Sequence, residues 1–248
     1  MDRALYIAMS GARQNTLGQA SHANNLANAS TTGFRSDYSQ SRAMGVFGEH
    51  FPSRAYALVE SPASDFRQGP LVETGRRMDV AIEGSGWFAV VGPDGQEAYT
   101  RAGDLSVDPD GRLLNGRGEQ LIGTGGPITL PSFTEIEVSR AGIITIQPAG
   151  EQPNTVAEPV QMKLVDPDPQ DLEKGEDGLF RFREAGTPPA DADPNITLVN
   201  GFVEGSNVNA VSELTDLIAL NRQYEMQVKL MKRVDENTAA TTQLLQSQ

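Results

Sequence analysis

The chain has 248 residues, 20 basic and 33 acidic side chains, a net charge of −13 and no cysteine. That length allows one sizeable domain or two modest ones, and the missing cysteine excludes disulfides, thiolate metal sites and a cysteine nucleophile. The two histidines, His22 and His50, lie in different segments, which argues against a histidine-based metal site or triad. No run of about 18 apolar residues occurs, so no membrane span is expected. The start MDRALYIAMSGARQN lacks the long apolar core and clear cleavage site of an ordinary secretory signal. Residues 1–30 balance to +1 and residues 207–248 to −1, so the acidity lies in residues 31–206. An acidic body disfavours nucleic-acid and anionic-membrane binding, while near-neutral ends can pack together without strong self-repulsion.

Residues 2–29 read as one helix. Leu5, Met9, Ala12, Thr16 and Gln19 fall at three- and four-residue steps, with Ala23 and Leu26 completing the face. The stripe is thin, and Gly11 and Gly18 sit seven apart on nearly the same face. Each interior glycine costs roughly 1 kcal/mol against alanine, so the helix is marginal alone. Its small residues permit close approach by a second helix. Asn24, Asn25, Asn28, Ser30, Thr31 and Thr32 then accumulate before Gly33, the composition of a helix end and cap.

Residues 34–75 read as extended and irregular, with scattered apolar residues (Phe47, Phe51, Tyr56, Leu58, Val59) and prolines at 52, 62 and 70 that preclude a long helix. Residues 76–146 are β-rich. Expected strands are 78–82, 87–91, 99–101, 105–107, 112–114, 120–123, 135–138 and 142–146, with tight turns at Pro93-Asp94-Gly95 and Asp108-Pro109-Asp110-Gly111. Segments 160–165, 179–182 and 196–203 continue the pattern, and the Pro-rich polar loops 147–159 and 184–195 are expected at the surface. Short strands at this spacing indicate an all-β body. Asp108-Pro109-Asp110-Gly111 lacks the further ligands and the helices of an EF-hand and reads as a turn. Asp79, the one polar residue of its strand, has no base or nucleophile apparent nearby and reads as a capping or turn residue. Val165-Asp166-Pro167-Asp168-Pro169 reads as a solvated acidic loop.

Residues 207–247 read as the second helix, with N-cap candidates in Glu204-Gly205-Ser206-Asn207-Val208-Asn209. A seam runs Ala210, Leu214, Leu217, Asn221, Tyr224, Val228, Met231, Asp235, Thr238, Thr242, Leu245, alternating steps of four and three as in a coiled-coil bundle. The fold class expected is α+β, mainly β: an all-β body with a coiled-coil-like pair of terminal helices. The expected division is 1–30 with 207–248 as the helical part, 31–75 as an extended linker and 76–206 as the β body.

Several stretches resemble the bacterial flagellar axial proteins, the rod, hook and hook-associated subunits. At the N-terminus the match is Asn-Asn-Leu-Ala-Asn-Ala-x-Thr-x-Gly-Phe-Arg over residues 24–35. In the body it is Gly69-Pro70-Leu71-Val72-Glu73-Thr74-Gly75, Met78-Asp79-Val80-Ala81-Ile82-Glu83-Gly84-Ser85-Gly86-Trp87-Phe88-Ala89-Val90 and Tyr99-Thr100-Arg101-Ala102-Gly103-Asp104-Leu105. Near the C-terminus it is Glu204-Gly205-Ser206-Asn207-Val208-Asn209-Ala210-Val211 and Arg222-Gln223-Tyr224-Glu225-Met226-Gln227. Within the family, the start Met1-Asp2-Arg3-Ala4-Leu5-Tyr6 and the Glu-Gly-Ser-Asn form are most similar to the proximal-rod branch, with the distal-rod branch as the alternative.

The resemblance implies paired terminal helices as an inner layer, an outward β body, and helical stacking into the rod that carries torque from motor to hook. It implies partners in other copies of the chain and other rod proteins, export by the flagellar type III apparatus without a cleaved signal, a place in the basal body across the periplasm with peptidoglycan as surroundings, and no cofactor, metal or catalysis. The assembly interface is expected to use Leu5, Met9, Ala12, Thr16, Asn24, Asn25, Leu26, Asn28, Thr31, Gly33, Phe34, Asn207, Asn209, Leu214, Leu217, Asn221, Tyr224, Val228 and Met231. The competing class is a secreted β-domain enzyme or sugar-binding module, in which paired acids of the body would serve glycoside hydrolysis.

Overall fold

A computed structural model describes residues 2–47, 52–148, 159–184 and 186–246. Most of the expected 147–159 loop, the side chains of the apolar residues singled out between 47 and 59, and the side chain of Leu245 lie outside the described residues. Helix α1 spans Asp2–Ala27 and α2 spans Ala210–Gln246. Between them run β1 (Asp37–Phe47), β2 (Pro52–Ser64), β3 (Leu71–Glu73), β4 (Val80–Glu83), β5 (Trp87–Val91), β6 (Glu97–Thr100), β7 (Ser106–Val107), β8 (Leu113–Leu114), β9 (Gln120–Gly123) and β10 (Gly126–Pro127). They are followed by β11 (Phe133–Val138), β12 (Ile143–Pro148), β13 (Val160–Gln161), β14 (Leu164–Val165), β15 (Leu172–Lys174), β16 (Phe180–Phe182), β17 (Thr197–Asn200) and β18 (Phe202–Glu204). The mainly β class with helical ends is as expected. The chain divides into two compact units: a helical unit of residues 1–29, 36–65 and 208–248, and a β unit of residues 30–35 and 66–207.

In the helical unit α1 packs on α2, and β1 and β2 form a long antiparallel hairpin alongside α1. The sequence read this hairpin only as extended chain, because its prolines obscure the pattern. Pro52 is the first residue of β2, and Pro62 falls in a bulge where register shifts between Tyr38↔Ala63 and Gln40↔Glu60. Those are positions where a missing N–H breaks no ladder bond.

The two glycines of α1 do allow close approach. A Cβ on Gly11 would run into the Gln227 side chain, and one on Gly18 would stand 3.3 Å from Leu220. The packed face, however, is rotated from the expected stripe. It comprises Ala8, Ala12, Asn15, Gly18 and Asn25, while Met9, Thr16 and Ala23 face outward. On α2 the inward residues are Glu213, Leu217, Leu220, Gln227, Met231 and Val234, again at steps of three, four and seven. The expected seam shares Leu217 and Met231 with this face but is turned by about one position elsewhere, leaving Leu214 and Val228 exposed. On α1 the contact is made by small residues, which let the larger side chains of α2, Leu220 and Gln227 among them, come close to its backbone.

The β unit is organised by β5. Its alternate side chains serve two cores: Phe88 and Val90 point into a cluster with Val80, Ile82, Leu105, Leu113, Leu121 and Leu198. Trp87 and Ala89 face a second cluster with Tyr99, Val165, Leu172 and Phe180. A strand buried on both faces reads as a continuous apolar run, as Trp87-Phe88-Ala89-Val90-Val91 does. The largest sheet has the order β15-β16-β6-β5-β9-β8-β7, with β10 on β9 and β14 on β5.

Three differences from the sequence reading have local causes. Segment 160–165 is two strands, because Met162 and Lys163 turn to bond Gly142 and Ile122. Segment 196–203 breaks at Gly201, whose φ of 77° makes a corner, so that β17 pairs with β4 and β18 with β3. Beyond the acidic loop, whose Asp166 and Asp168 are exposed as expected, an unexpected strand β15 is anchored by buried Leu172. Asp108 behaves as a turn residue: its Oδ1 accepts from the Asp110 and Arg112 amides and its Oδ2 from Arg112 Nε. Asp79 begins the turn-to-strand step, its amide bonded to the Arg76 carbonyl and its carboxylate 3.5 Å from Arg76 Nε.

Tyr99 supplies a pH-sensitive element of the second core. Its hydroxyl accepts the Ala190 amide at 2.9 Å, and its ring meets Phe182 edge-on. Burial pushes the phenol up from 10.0 to about 12, against the opposing pull of the Ala190 bond. A raised folded pKa means that the stability contributed by the neutral phenol is full below pH 10 and is lost as pH climbs toward 12. Tyr99→Phe is therefore expected to lose about 1 kcal/mol at neutral pH with the Ala190 bond, yet to show a flatter stability profile than the native chain above pH 10. Urea titrations across that window measure both effects.

Candidate functional site

The N-terminal signature is divided between the two units. Its first half closes the helical unit. Asn25, 1% exposed, is held at the end of α1, where its Oδ1 accepts the Asp37 amide and its Nδ2 donates to the Asp37 carbonyl, both at 2.9 Å. The side-chain amide thus pairs with one residue as a strand neighbour would. The same Nδ2 donates at 3.3 Å to Glu213, whose other carboxylate oxygen lies 2.5 Å from His22 Nδ1. Glu213 sits in the first turn of α2, where the helix dipole favours a negative charge. The cap of that helix is Asn209, whose Oδ1 accepts the Val211 and Ser212 amides.

The second half of the signature is built into the β unit. Gly33 lies six positions beyond the last residue of α1, so it does not cap that helix; its φ of 67° instead shapes the turn into Phe34 and Arg35. A Cβ there would collide with the backbone of Arg101 and Ala102. Phe34 and Arg35 are buried. The centre is Glu204, whose side chain is fully enclosed. One carboxylate oxygen accepts the Gly69 amide at 2.9 Å and pairs with Arg35, and the other accepts Arg101 Nη1 at 3.0 Å. The backbone carbonyl of Glu204 accepts the Gly33 amide at 2.7 Å. Both guanidinium groups lie on Trp87, at 5.8 Å for Arg35 and 5.3 Å for Arg101, and Phe66 and Phe180 complete the aromatic wall. Burial pulls Arg101 below the usual arginine range while the Glu204 carboxylate pushes it back.

The expected interface residues are consequently scattered in burial. Gly33, Phe34 and Asn25 are spent inside the chain; Leu5, Ala12, Leu26, Leu217 and Met231 are buried or half-buried; Asn28, Thr31 and Asn207 are half-buried. Asn207 donates to the Arg67 carbonyl. Met9, Thr16, Asn24, Asn209, Leu214, Asn221, Tyr224 and Val228 are exposed. Sequence reasoning quoted Arg35, Arg101, Glu204 and Trp87 inside the motifs without giving them a role. The available signal was a charged residue flanked by glycine or apolar neighbours in each of three separated motifs. The exposed apolar residues of the helices make a second feature. Tyr6, Met9 and Leu17 on α1, and Val211, Leu214, Ile218, Tyr224, Met226, Val228 and Leu230 on α2, face solvent, with Leu214 at 51% and Ile218 at 49%. Val211, Leu214 and Ile218 fall at steps of three and four along one side of α2, while Tyr224, Met226, Val228 and Leu230 run round the helix at steps of two. Among the described residues there is no group of three or more His, Asp or Glu side chains placed to hold a metal, and no helix long and apolar enough to cross a membrane.

The buried signatures and the outward helical faces define a flagellar axial subunit, and the chain belongs to the family of flagellar basal-body rod proteins. Residues 5–35 match the family described as flagella basal body rod protein, residues 81–146 the flagellar hook protein FlgE/F/G D1 domain, and residues 199–244 the flagellar basal body rod FlgEFG protein C-terminal family. The chain is 41% identical to the flagellar basal-body rod protein FlgF of Escherichia coli (strain K12) and 42% identical to that of Salmonella typhimurium, each alignment covering 99% of both chains. It is 31% identical to FlgG of Agrobacterium fabrum over 94% of this chain and 96% of the relative.

Asn25→Ala removes both side-chain bonds to Asp37 and a donor from Glu213. The expected outcome is a loss of about 2 kcal/mol, with hydrogen exchange at the Asp37 amide accelerated well beyond that of the Val90 amide in β5.

Proposed function

We propose that this chain is a structural subunit of the proximal part of the flagellar rod, polymerising helically through its terminal helices into the shaft that transmits torque from motor to hook. The observation that carries the reading is end-to-end similarity to FlgF proteins at 41–42% identity, together with helices that leave several larger apolar residues exposed. Relatives named FlgG align at 30–32% identity, so the distal-rod alternative has the weaker support. In this reading Met9, Thr16, Leu214, Asn221, Tyr224 and Val228 meet neighbouring copies or other rod proteins. The pair made by α1 and α2 supplies the inner layer. A face repeated by a rotation that does not close gives a helical filament. Torque is carried by packing, so the reading assigns the chain no catalysis. It also places the chain among the partners that the family implies: other rod subunits, the type III export apparatus, and the peptidoglycan through which the rod runs.

Leu214→Asp tests the proposal, because Leu214 is exposed in the single chain and lies off the face that α2 turns to α1. The purified variant is expected to melt as the native chain does, whereas in cells it should fail to enter basal bodies, since assembly would bury an unpaired carboxylate. Normal motility with normal incorporation would remove this face from the interface.

A further inference from the structure

We propose that Gly33-Phe34-Arg35 is a strap around which the β unit folds, latched by Glu204, so that the body closes only when its first and last segments have come together. The proposal rests on contacts inside the β unit and stands whether or not the rod reading does. Each residue of the strap is held by a different part of the unit. The Gly33 amide donates to the Glu204 carbonyl. The Phe34 carbonyl accepts the Asn207 amide, and the Phe34 ring carries Lys174 Nζ 3.9 Å from its centroid. The Arg35 carbonyl accepts Lys174 Nζ at 2.8 Å, while its guanidinium pairs with Glu204 and lies on Trp87. Gly33 is the only residue type that fits, since its φ is positive and any Cβ would enter the backbone at Arg101–Ala102.

The last strands of the β unit complete the latch. β18, which carries Glu204, pairs with β3, and β17 pairs with β4, so the first strands of the unit are closed by its last. Without residue 204 the Arg35 and Arg101 guanidinium groups would be buried against Trp87 without their carboxylate, and the Gly69 amide would lose its acceptor. Without Arg35 the enclosed carboxylate would lose one of its two cations. A buried pair broken on one side is strongly destabilising, so strap, Glu204 and core are expected to order together. The N-terminal signature then acts, in its second half, as a folding element of the body and not as a contact between subunits.

Hydrogen exchange of the full-length chain against urea, followed together with emission from Trp87, the single tryptophan of the chain, tests the latch. In the unmodified protein the Gly33, Gly69 and Val90 amides are expected to open with one urea dependence. Glu204→Gln and Gly33→Ala should each accelerate all three by a common factor of about a hundredfold, with a red shift of Trp87 emission. Gly33→Ala keeps every charge, so it separates the seating of the strap from the ion pair. If Glu204→Gln fails to fold, the unmodified chain and Gly33→Ala decide alone. Exchange at Gly33 that opens at low urea while Gly69 and Val90 stay closed, or a Gly33→Ala chain with unchanged exchange at Val90 and unchanged Trp87 emission, overturns the proposal.

Discussion

A carboxylate enclosed on every side is tolerated only if cations and donors are delivered to it in fixed positions. Glu204 imposes that condition on this chain. Its partners come from residues 35, 69 and 101, and its own strand is the last of the β unit. The condition explains why the family's separated motifs share a geometry. Gly33 gives the backbone approach, Arg35 and Arg101 give the charges, Trp87 gives the flat surface on which both guanidinium groups rest, and Gly69 gives the amide. Arginine suits these positions because its planar group can stack and pair at once. The motifs are therefore parts of one buried ion cluster, each of little use without the others.

The helical unit follows the opposite logic. Its inner contact is made of alanine, glycine and asparagine on α1 against Leu217, Leu220 and Gln227 on α2. Small residues bury little apolar area, and several larger apolar side chains, Tyr6, Met9, Leu214 and Ile218 among them, are left exposed. An isolated pair of this kind gains little from its own packing and has much to gain from neighbours. The closed ion cluster of the β unit thus contrasts with helices that keep part of their apolar surface exposed.

Much of this fold was legible in the sequence, but unevenly. β5 and β9 fall where their apolar runs and glycine neighbours put them, the Asp108 turn has its Asx bonds, and the cap of α2 is one of the polar residues singled out. The long hairpin of β1 and β2 was obscured because prolines at a strand start and at a bulge look like breaks. The faces of α1 and α2 were misjudged by about one position, since periodicity ranks residues by size and apolarity while α1 presents its small residues and asparagines to Leu217, Leu220 and Gln227 of α2. The cluster at Glu204 was invisible for a different reason. Its members lie up to 169 positions apart, and only the pairing of first and last strands brings them together. A charged residue between a glycine and an apolar run reads as a solvated turn until its partners are known.

The central claim is that Arg35 and Glu204 are energetically one unit, and a double-mutant cycle on the full-length chain measures it most directly. Arg35→Met leaves the buried Glu204 carboxylate with Arg101 as its one cation, and Glu204→Leu leaves both guanidinium groups without it, whereas the double variant leaves only Arg101 without that carboxylate. The account predicts that the double variant is more stable than the sum of the single losses allows, by about 2 kcal/mol or more. Two single losses that simply add would mean that the strap and the end of the body are stabilised independently, and would contradict it.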